Sequence, residues 1–392
     1  MGEPIRVLSL RNVIMFGGPD TTLLGWYAQI DRSRFDVSLA SFENPGAPDA
    51  DLVRGMQERG VRTFSVPYGE RKNVVAAVRE IARIVRRERI DVIHSHDFRS
   101  DVLGWIAARM TGVPIMNTIY VWFGENSIGK VKRIEALNRL VLRRFDGLNA
   151  ISEATRRDTI RLYGFRPESV TTVLSGIDVR KFDAPVDEAA VRASIGAAPD
   201  DRLLPIVARI YPEKAHTYLL KAMVPVVRAH PRAKLLVIGE GPLRPALEQE
   251  ARDLGIAANV TFTGKRKDVP ALLRISEFQV HPTLAEGIPL AVYEGMAAGL
   301  AVVGTDVDGT PEVVRHEQTG LLVPPKDVTA LTAAILRLLE NPAESRAWGA
   351  AARELIETDY SIERATGQLE AYYERMARKE AGGKRRPTRS EP

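Results

Sequence analysis

Short apolar runs alternate with longer amphipathic stretches along this chain. That alternation predicts βαβ units and parallel sheets. Ile5-Arg6-Val7-Leu8-Ser9-Leu10 opens as a strand, and Val92-Ile93, Pro114-Ile115-Met116 and Gly147-Leu148-Asn149-Ala150-Ile151 suggest later strands of the first half. The second half shows Leu203-Leu204-Pro205-Ile206-Val207-Ala208, Lys234-Leu235-Leu236-Val237-Ile238, Val260-Thr261-Phe262, Phe278-Gln279-Val280 and Ala301-Val302-Val303. Helical spacing recurs over Ile362–Arg378 and over Ile128–Arg144, where Ile128, Val131, Ile134, Leu137, Leu140 and Val141 stand among six Lys and Arg residues. The second pattern fits a core-facing helix with a basic outer side, and a membrane-surface scaffold is the alternative. Pro289 suits a first helical position and Gly299 the residue just past that helix's end.

Length turns this pattern into a domain expectation. The 392 residues suggest two domains. Phe182-Asp183-Ala184-Pro185 and a change in charge sign place a boundary near 178–186. The expected organisation is therefore 1–180, 181–360, a helix over 361–380 and a basic, disordered tail over 381–392. There is no cysteine, which excludes a disulfide scaffold and cysteine-based metal or nucleophile chemistry. No apolar run reaches membrane-spanning length, and the N-terminus lacks a signal-peptide pattern, so a cytoplasmic location is the default expectation. The net charge of +5 hides a basic first half, an acidic second half and a basic tail. Such a first half would suit an anionic acceptor or peripheral contact with the inner face of a membrane, and a mildly basic solvated surface explains it equally. Nucleic acid is not expected, because no basic-aromatic motif of the recognised kinds occurs.

Two segments carry the candidate chemistry. Glu286-Gly287-Ile288-Pro289-Leu290 runs into Ala291-Val292-Tyr293-Glu294, so two carboxylates lie eight residues apart around a helix start. Free N–H groups near Leu290 and Ala291 would point at an anion. Glu294 can accept from ribose hydroxyls and Glu286 from a hexose. Two solvated glutamates are the bland alternative. The strand ending at Ala208 is followed by Arg209 and then by Lys214, a fork and a point charge for phosphate oxygens, or else ordinary loop cations. Gly239-Glu240-Gly241 lacks the third glycine of a dinucleotide fingerprint, since Arg244 stands there. Asp306-Val307-Asp308 reads as a loop, not a metal clamp, and His94 with His96 lacks partners for a zinc site.

Together these residues resemble the retaining glycosyltransferases of the GT-B fold, in particular glycosyltransferase family 4. The Glu-x7-Glu motif is matched by Glu286 and Glu294, and the Arg plus Lys pair by Arg209 and Lys214. Gly17-Gly18, His94-Ser95-His96-Asp97, Ser175-Gly176-Ile177-Asp178, Pro311-Glu312 and Thr319-Gly320-Leu321-Leu322-Val323 extend the match over nearly the whole chain. The resemblance implies an α/β architecture of two Rossmann-like domains facing each other across a cleft. The first would bind the acceptor and the second the nucleotide sugar, with the final helix crossing back to the first. It implies a hexose transferred from a nucleoside diphosphate sugar (UDP- or GDP-sugar) to a hydroxyl of a glycan or lipid-linked acceptor, in envelope or extracellular polysaccharide biosynthesis. No metal or other cofactor would be required. Arg209, Lys214, Glu286 and Tyr120 would serve transfer, while Glu294, Gly287, Ile288, Leu290, Gly18 and His96 would bind the donor. The family commonly has a histidine where this chain has Tyr120, and a glycine where it has Ala215. Tyr120 keeps a hydrogen-bonding hydroxyl but offers no cation at neutral pH. A catalytically weakened nucleotide-binding protein, and an epimerase or phosphorylase on the same fold, therefore stay open as alternatives.

Overall fold

The computed structural model describes residues 3–13, 16–43, 49–68, 73–121 and 129–382. The chain divides into two compact units, one formed by residues 1–176 together with 362 onward, the other by 177–361.

In the first unit, seven described strands form one parallel sheet. They are β1 (Ile5–Arg11), β2 (Phe35–Phe42), β3 (Arg62–Val66), β4 (Val92–Ser95), β5 (Ile115–Ile119), β6 (Gly147–Ala150) and β7 (Val170–Thr172). Their order is β3-β2-β1-β4-β5-β6-β7. Helices cover both faces of such a sheet, so its central strands read as unbroken apolar runs rather than alternating ones. Val7, Leu8, Leu10, Ile93 and Met116 are accordingly buried. The order reverses between β1 and β4, and a doubly wound sheet opens a crevice at the carboxyl ends of the strands that flank such a reversal. Arg11 and the segment His94–Asp97 stand at those ends.

The last helix, Ile362–Gly382, belongs to this unit, and it continues through Ala381 and Gly382, where a disordered tail was expected to begin. Residues 383–392 of that expected tail lie outside the described residues. Gly147 shows why the helix can dock: a Cβ there would stand 2.3 Å from the Tyr372 hydroxyl. On the helix Gly129–Leu142, Leu137 and Leu140 are exposed, unlike a core-facing stripe, while Leu142 is buried. Ile128, and the side chains of Val131 and Lys132, lie outside the described residues.

The second unit has six described strands in two parallel groups. The first comprises β8 (Arg202–Val207), β9 (Ala233–Ile238) and β10 (Val260–Gly264), ordered β10-β9-β8. The second comprises β11 (Gln279–His281), β12 (Val302–Thr305) and β13 (Gly320–Val323), ordered β11-β12-β13. The Glu277 N–H donates to the Leu203 carbonyl (2.9 Å), tying β8 to the segment that enters β11. A core containing Leu204, Ile206, Val237, Phe278, Val280 and Val303 runs beneath both groups. The reversal in this unit therefore falls between β8 and β11, again at a predicted chemical segment. Among the described residues no helix is long and apolar enough to cross a membrane.

Candidate functional site

Each unit assembles its own set of polar groups at its reversal point. In the second unit, β8 leads through Ala208 and exposed Arg209 into a single turn, Pro212–Lys214, and then into the helix His216–Ala229. The two glycines of the rejected dinucleotide fingerprint serve this turn. A Cβ at Gly239 would stand 2.0 Å from the Ala208 carbonyl oxygen, and one at Gly241 would stand 2.2 Å from that of Ile210. Their absence lets the loop after β9 press against the backbone that carries Arg209, and the Ile210 N–H donates to the Glu240 carbonyl (2.9 Å). The Arg209 guanidinium lies over the Tyr211 ring, 5.0 Å from its centre, and 3.4 Å from the Glu213 carboxylate.

The loop after β11 is fastened to the same turn. The Leu284 N–H (2.7 Å) and the Thr283 hydroxyl (3.0 Å) both donate to the Glu213 carbonyl. This clamp brings Lys214 against Glu286, seventy-two residues later. The Lys214 ammonium donates to Glu286 Oε2, with side chains 13% and 16% exposed. His281 Nε2 lies 3.3 Å from the same oxygen. Burial works to raise the Glu286 pKa, but the His281 hydrogen bond and the Lys214 charge outweigh it and hold the pKa below the ordinary carboxylate value. Burial conversely lowers that of His281, which is neutral and donates from Nε2. Glu286 Oε1 takes no hydrogen bond among the described residues.

Asp308 supports the arrangement from a third loop, its Oδ2 accepting from the Glu286 N–H (2.7 Å). The expected reading of Asp306-Val307-Asp308 as plain loop misses this support, because only the fold brings residue 308 beneath residue 286. Among the described residues there is no cluster of His, Cys, Asp or Glu that could hold a metal ion.

The helix Leu290–Ala297 starts one residue later than Pro289 at the first position would give, with Pro289 as its cap. The Leu290 N–H turns back to the Ile288 carbonyl (3.0 Å) and is not free for an anion, whereas that of Ala291 has no partner among the described residues. Glu294 lies one turn in. Its carboxylate is half-buried and makes no hydrogen bond or ion pair among the described residues. Burial pushes its pKa up to about 7 against the opposing charge of Lys181. Gly299 follows the helix at φ 83°, in the left-handed region expected there.

The first unit builds its set from different material. Gly18 is the first residue of the helix Gly18–Gln29 rather than a loop residue, with Gly17 as its cap. Asp97 caps the helix Phe98–Thr111, accepting from the N–H groups of Arg99 (3.0 Å) and Ser100 (3.1 Å), and also from that of Asn12 (2.8 Å). Arg11, at the end of β1 as Arg209 follows β8, pairs with buried Asp20 at 2.8 Å and donates to the His96 carbonyl (3.2 Å). Sequence reasoning missed this pair, although the matching strand-end positions of the two arginines were a usable signal. His94 and His96 stack with ring centres 4.0 Å apart, and both are buried. His96 has protein partners at both nitrogens, Tyr120 at 3.0 Å and Ser9 at 3.1 Å, so the half-buried Tyr120 stands between it and the surface of the unit.

Against this geometry the comparisons converge. A family model described as glycosyl transferase 4-like domain matches residues 17–176, and one described as glycosyl transferases group 1 matches 187–355. The chain is 31% identical to a D-inositol 3-phosphate glycosyltransferase of Saccharomonospora viridis, over 73% of this chain and 70% of that one. It is 22% identical to the Escherichia coli UDP-Gal:alpha-D-GlcNAc-diphosphoundecaprenol alpha-1,3-galactosyltransferase, over 86% of this chain and 88% of that one. Among solved structures, Anabaena HepE in complex with UDP and glucose superposes with a TM-score of 0.83 at 19% identity, covering 94% of this chain and 99% of that one. The two Rossmann-like units, the paired family models and the level of identity to the relatives place the chain in the group 1 glycosyltransferases of the GT-B fold.

Proposed function

We propose that the chain transfers a hexose, with retention of anomeric configuration, from a nucleoside diphosphate sugar to a hydroxyl of a glycan or lipid-linked acceptor. The observation that carries this reading is Glu294, a half-buried carboxylate with no protein partner among the described residues and a pKa pushed to about 7. A group left in that condition is stabilised when ligand hydroxyls, such as those of a ribose, donate to it. Nearby in sequence, the free oxygen of Glu286 suits a hexose hydroxyl. Arg209 and Lys214 supply the positive charge that a departing diphosphate needs, worth about 1.5–3 kcal/mol for each hydrogen bond to a charged group. The bond from the anomeric carbon to the phosphate oxygen breaks, the acceptor oxygen bonds to that carbon, and the departing phosphate oxygen takes the acceptor's proton. Glu286 is not a hydrolase carboxylate in this scheme, because its Oε2 is already held by Lys214 and His281. The reaction as written calls for no metal.

A lipid-linked acceptor is supported by the name of one relative, which specifies a diphosphoundecaprenol-linked sugar. Envelope or extracellular polysaccharide synthesis, at the inner face of a membrane, is the setting that fits it. Thermal shift with UDP, GDP, ADP, CDP and dTDP, without added metal, tests the donor. A ligand at 100 times its dissociation constant stabilises by about 2.7 kcal/mol. One responder is expected, and silence across all five would overturn the reading. Inversion in the product, read by NMR of its anomeric proton, would overturn retention separately.

A further inference from the structure

A single buried chain of hydrogen bonds crosses the first unit and ends at Tyr120. From the far end, the Val173 N–H donates to Asn149 Oδ1 (2.7 Å) and Asn149 Nδ2 donates to Thr118 Oγ1 (3.0 Å). Thr118 Oγ1 lies 2.7 Å from His94 Nε2, and His94 Nδ1 lies 2.7 Å from the Tyr373 hydroxyl. Tyr373 meets Tyr27 (3.2 Å), Tyr27 meets Ser9 (2.6 Å), Ser9 meets His96 Nε2 (3.1 Å), and His96 Nδ1 meets the Tyr120 hydroxyl (3.0 Å). The last helix thus contributes a member, Tyr373, to a chain whose other members come from the strands, the residues just past their carboxyl ends and the first helix.

The direction of this chain can be counted out. From Thr118 to Tyr120 there are six contacts and seven groups: five hydroxyls and two imidazoles. Each hydroxyl has one hydrogen to give, and so does each neutral imidazole. Burial keeps both imidazoles neutral, drawing the His94 pKa down to about 3 and that of His96 well below its usual value. Seven hydrogens fill six contacts, so one hydroxyl hydrogen is left over. An imidazole bonded at both nitrogens cannot carry it. Ser9, Tyr27, Thr118 and Tyr373 are each at most 2% exposed, and a leftover donor there would be buried without an acceptor. Tyr120 is the half-buried member, and its hydroxyl has no acceptor among the described residues. The Val173 N–H can only donate, which fixes the Asn149 amide and turns Thr118 towards His94.

We infer that the Tyr120 hydroxyl is an obligate hydrogen-bond donor of the first unit, offered to an accepting sugar or phosphate oxygen of a ligand and oriented from the far end of the chain by Asn149. Its ligand half rests on the function proposed above. His96, Ser9, Tyr27, Tyr373, His94 and Thr118 are positioning residues: they touch no ligand, but their hydrogens all point one way. A tyrosine that receives a hydrogen bond from His96 and keeps its own hydrogen differs from a histidine at that position, because it cannot take up a further proton and become a cation.

Long-range proton–nitrogen correlation of the imidazoles in the full 15N-labelled chain reads the direction without any substrate. Both His94 and His96 should carry hydrogen on Nδ1, with a bare Nε2, unchanged from pH 5.5 to 8. Hydrogen on His96 Nε2 would mean that Tyr120 donates into the protein, and would overturn the inference. The ligand half is read with Tyr120→Phe, which keeps the ring, titrated with the nucleotide that the thermal panel selects and with its sugar conjugate. An affinity loss of about tenfold for the diphosphate alone assigns the oxygen to phosphate. A loss confined to the conjugate assigns it to the sugar, and unchanged affinity for both overturns the contact. If no nucleotide binds at all, the ligand half fails with the proposed function, while the tautomers still decide the donor half.

Discussion

The two units share a doubly wound topology with its reversal at a predicted chemical segment, yet they fill that position oppositely. The second unit gathers formal charges: Lys214 and Glu286 pair beside a neutral His281, Arg209 is exposed, and Glu294 waits unpaired. The first unit gathers neutral hydroxyls and imidazoles in a buried chain whose internal contacts are all filled, and holds a buried ion pair, Arg11 with Asp20, at the ends of the same strands. The difference matters for what each can do. A charge pair can exchange partners when a diphosphate arrives, because the incoming anion replaces the carboxylate it displaces. A saturated neutral chain cannot exchange anything cheaply, and what it contributes is a fixed direction.

The sharpest way to break this contrast is to remove the cation from the charged set. Lys214→Met leaves Glu286 buried with only His281 against it, and removing one partner of a buried pair costs about 3–5 kcal/mol. Turnover on the donor should fall by about 100-fold or more, and the melting temperature should fall with it. If steady-state transfer is unchanged, the lysine has no part in diphosphate stabilisation. Asp308→Ala should act next most strongly. It strips the acceptor from the Glu286 N–H, an exposed hydrogen bond whose loss costs about 0.5–1.5 kcal/mol. Asp308→Asn, which keeps an acceptor oxygen, should restore most of the activity, and equal losses in the two variants would remove Asp308 from the site's support.

Glu294 offers a pH test. Its pKa of about 7 stands above that of an unfolded glutamate, so the folded chain holds a proton that the unfolded chain has released. The free protein should therefore lose stability from this group as pH rises from the ordinary carboxylate range through 7. Ligand hydroxyls donate to the ionised form, so nucleotide affinity should move the other way. Ionisation around a pKa of about 7 predicts a rise of about tenfold between pH 6 and pH 8. Isothermal titration at both pH values checks it, and Glu294→Gln should flatten the profile. A flat profile in the parent chain would detach Glu294 from the nucleotide.

How far the sequence revealed this molecule depended on the range of the interaction. Strands such as Leu203–Ala208 and the helix end at Gly299 were legible, and the helix start at Pro289 to within one residue, because periodicity and backbone preference act over a few neighbours. The pairing of Lys214 with Glu286 was not, since it depends on the Thr283 and Leu284 bonds to Glu213 across seventy residues. The role of Asp308 and the chain from Asn149 to Tyr120 were hidden for the same reason. Resemblance named Tyr120 and His96 together as site residues, but only the fold shows that one stands beneath the other.

The smallest effect concerns Ala215, where an alanine replaces the glycine common in the resembled family. It joins the Lys214 turn to the next helix at φ 56° and ψ 32°, in the left-handed region. An L-residue there costs about 1–2 kcal/mol relative to the right-handed conformation. Glycine would relieve that cost, but it would free the unfolded chain by about 0.4–1 kcal/mol. It would also give up a buried methyl group worth about 0.8 kcal/mol, since Ala215 is 4% exposed. These contributions nearly cancel, so Ala215→Gly should change unfolding free energy by less than about 1 kcal/mol in either direction in a denaturant titration. Ala215→Val keeps the strained backbone and adds a β-branch that suits it badly, and should destabilise clearly. Equal stability of the glycine and valine variants would mean that the turn relaxes out of the left-handed region, and with it the placement of Lys214 against Glu286.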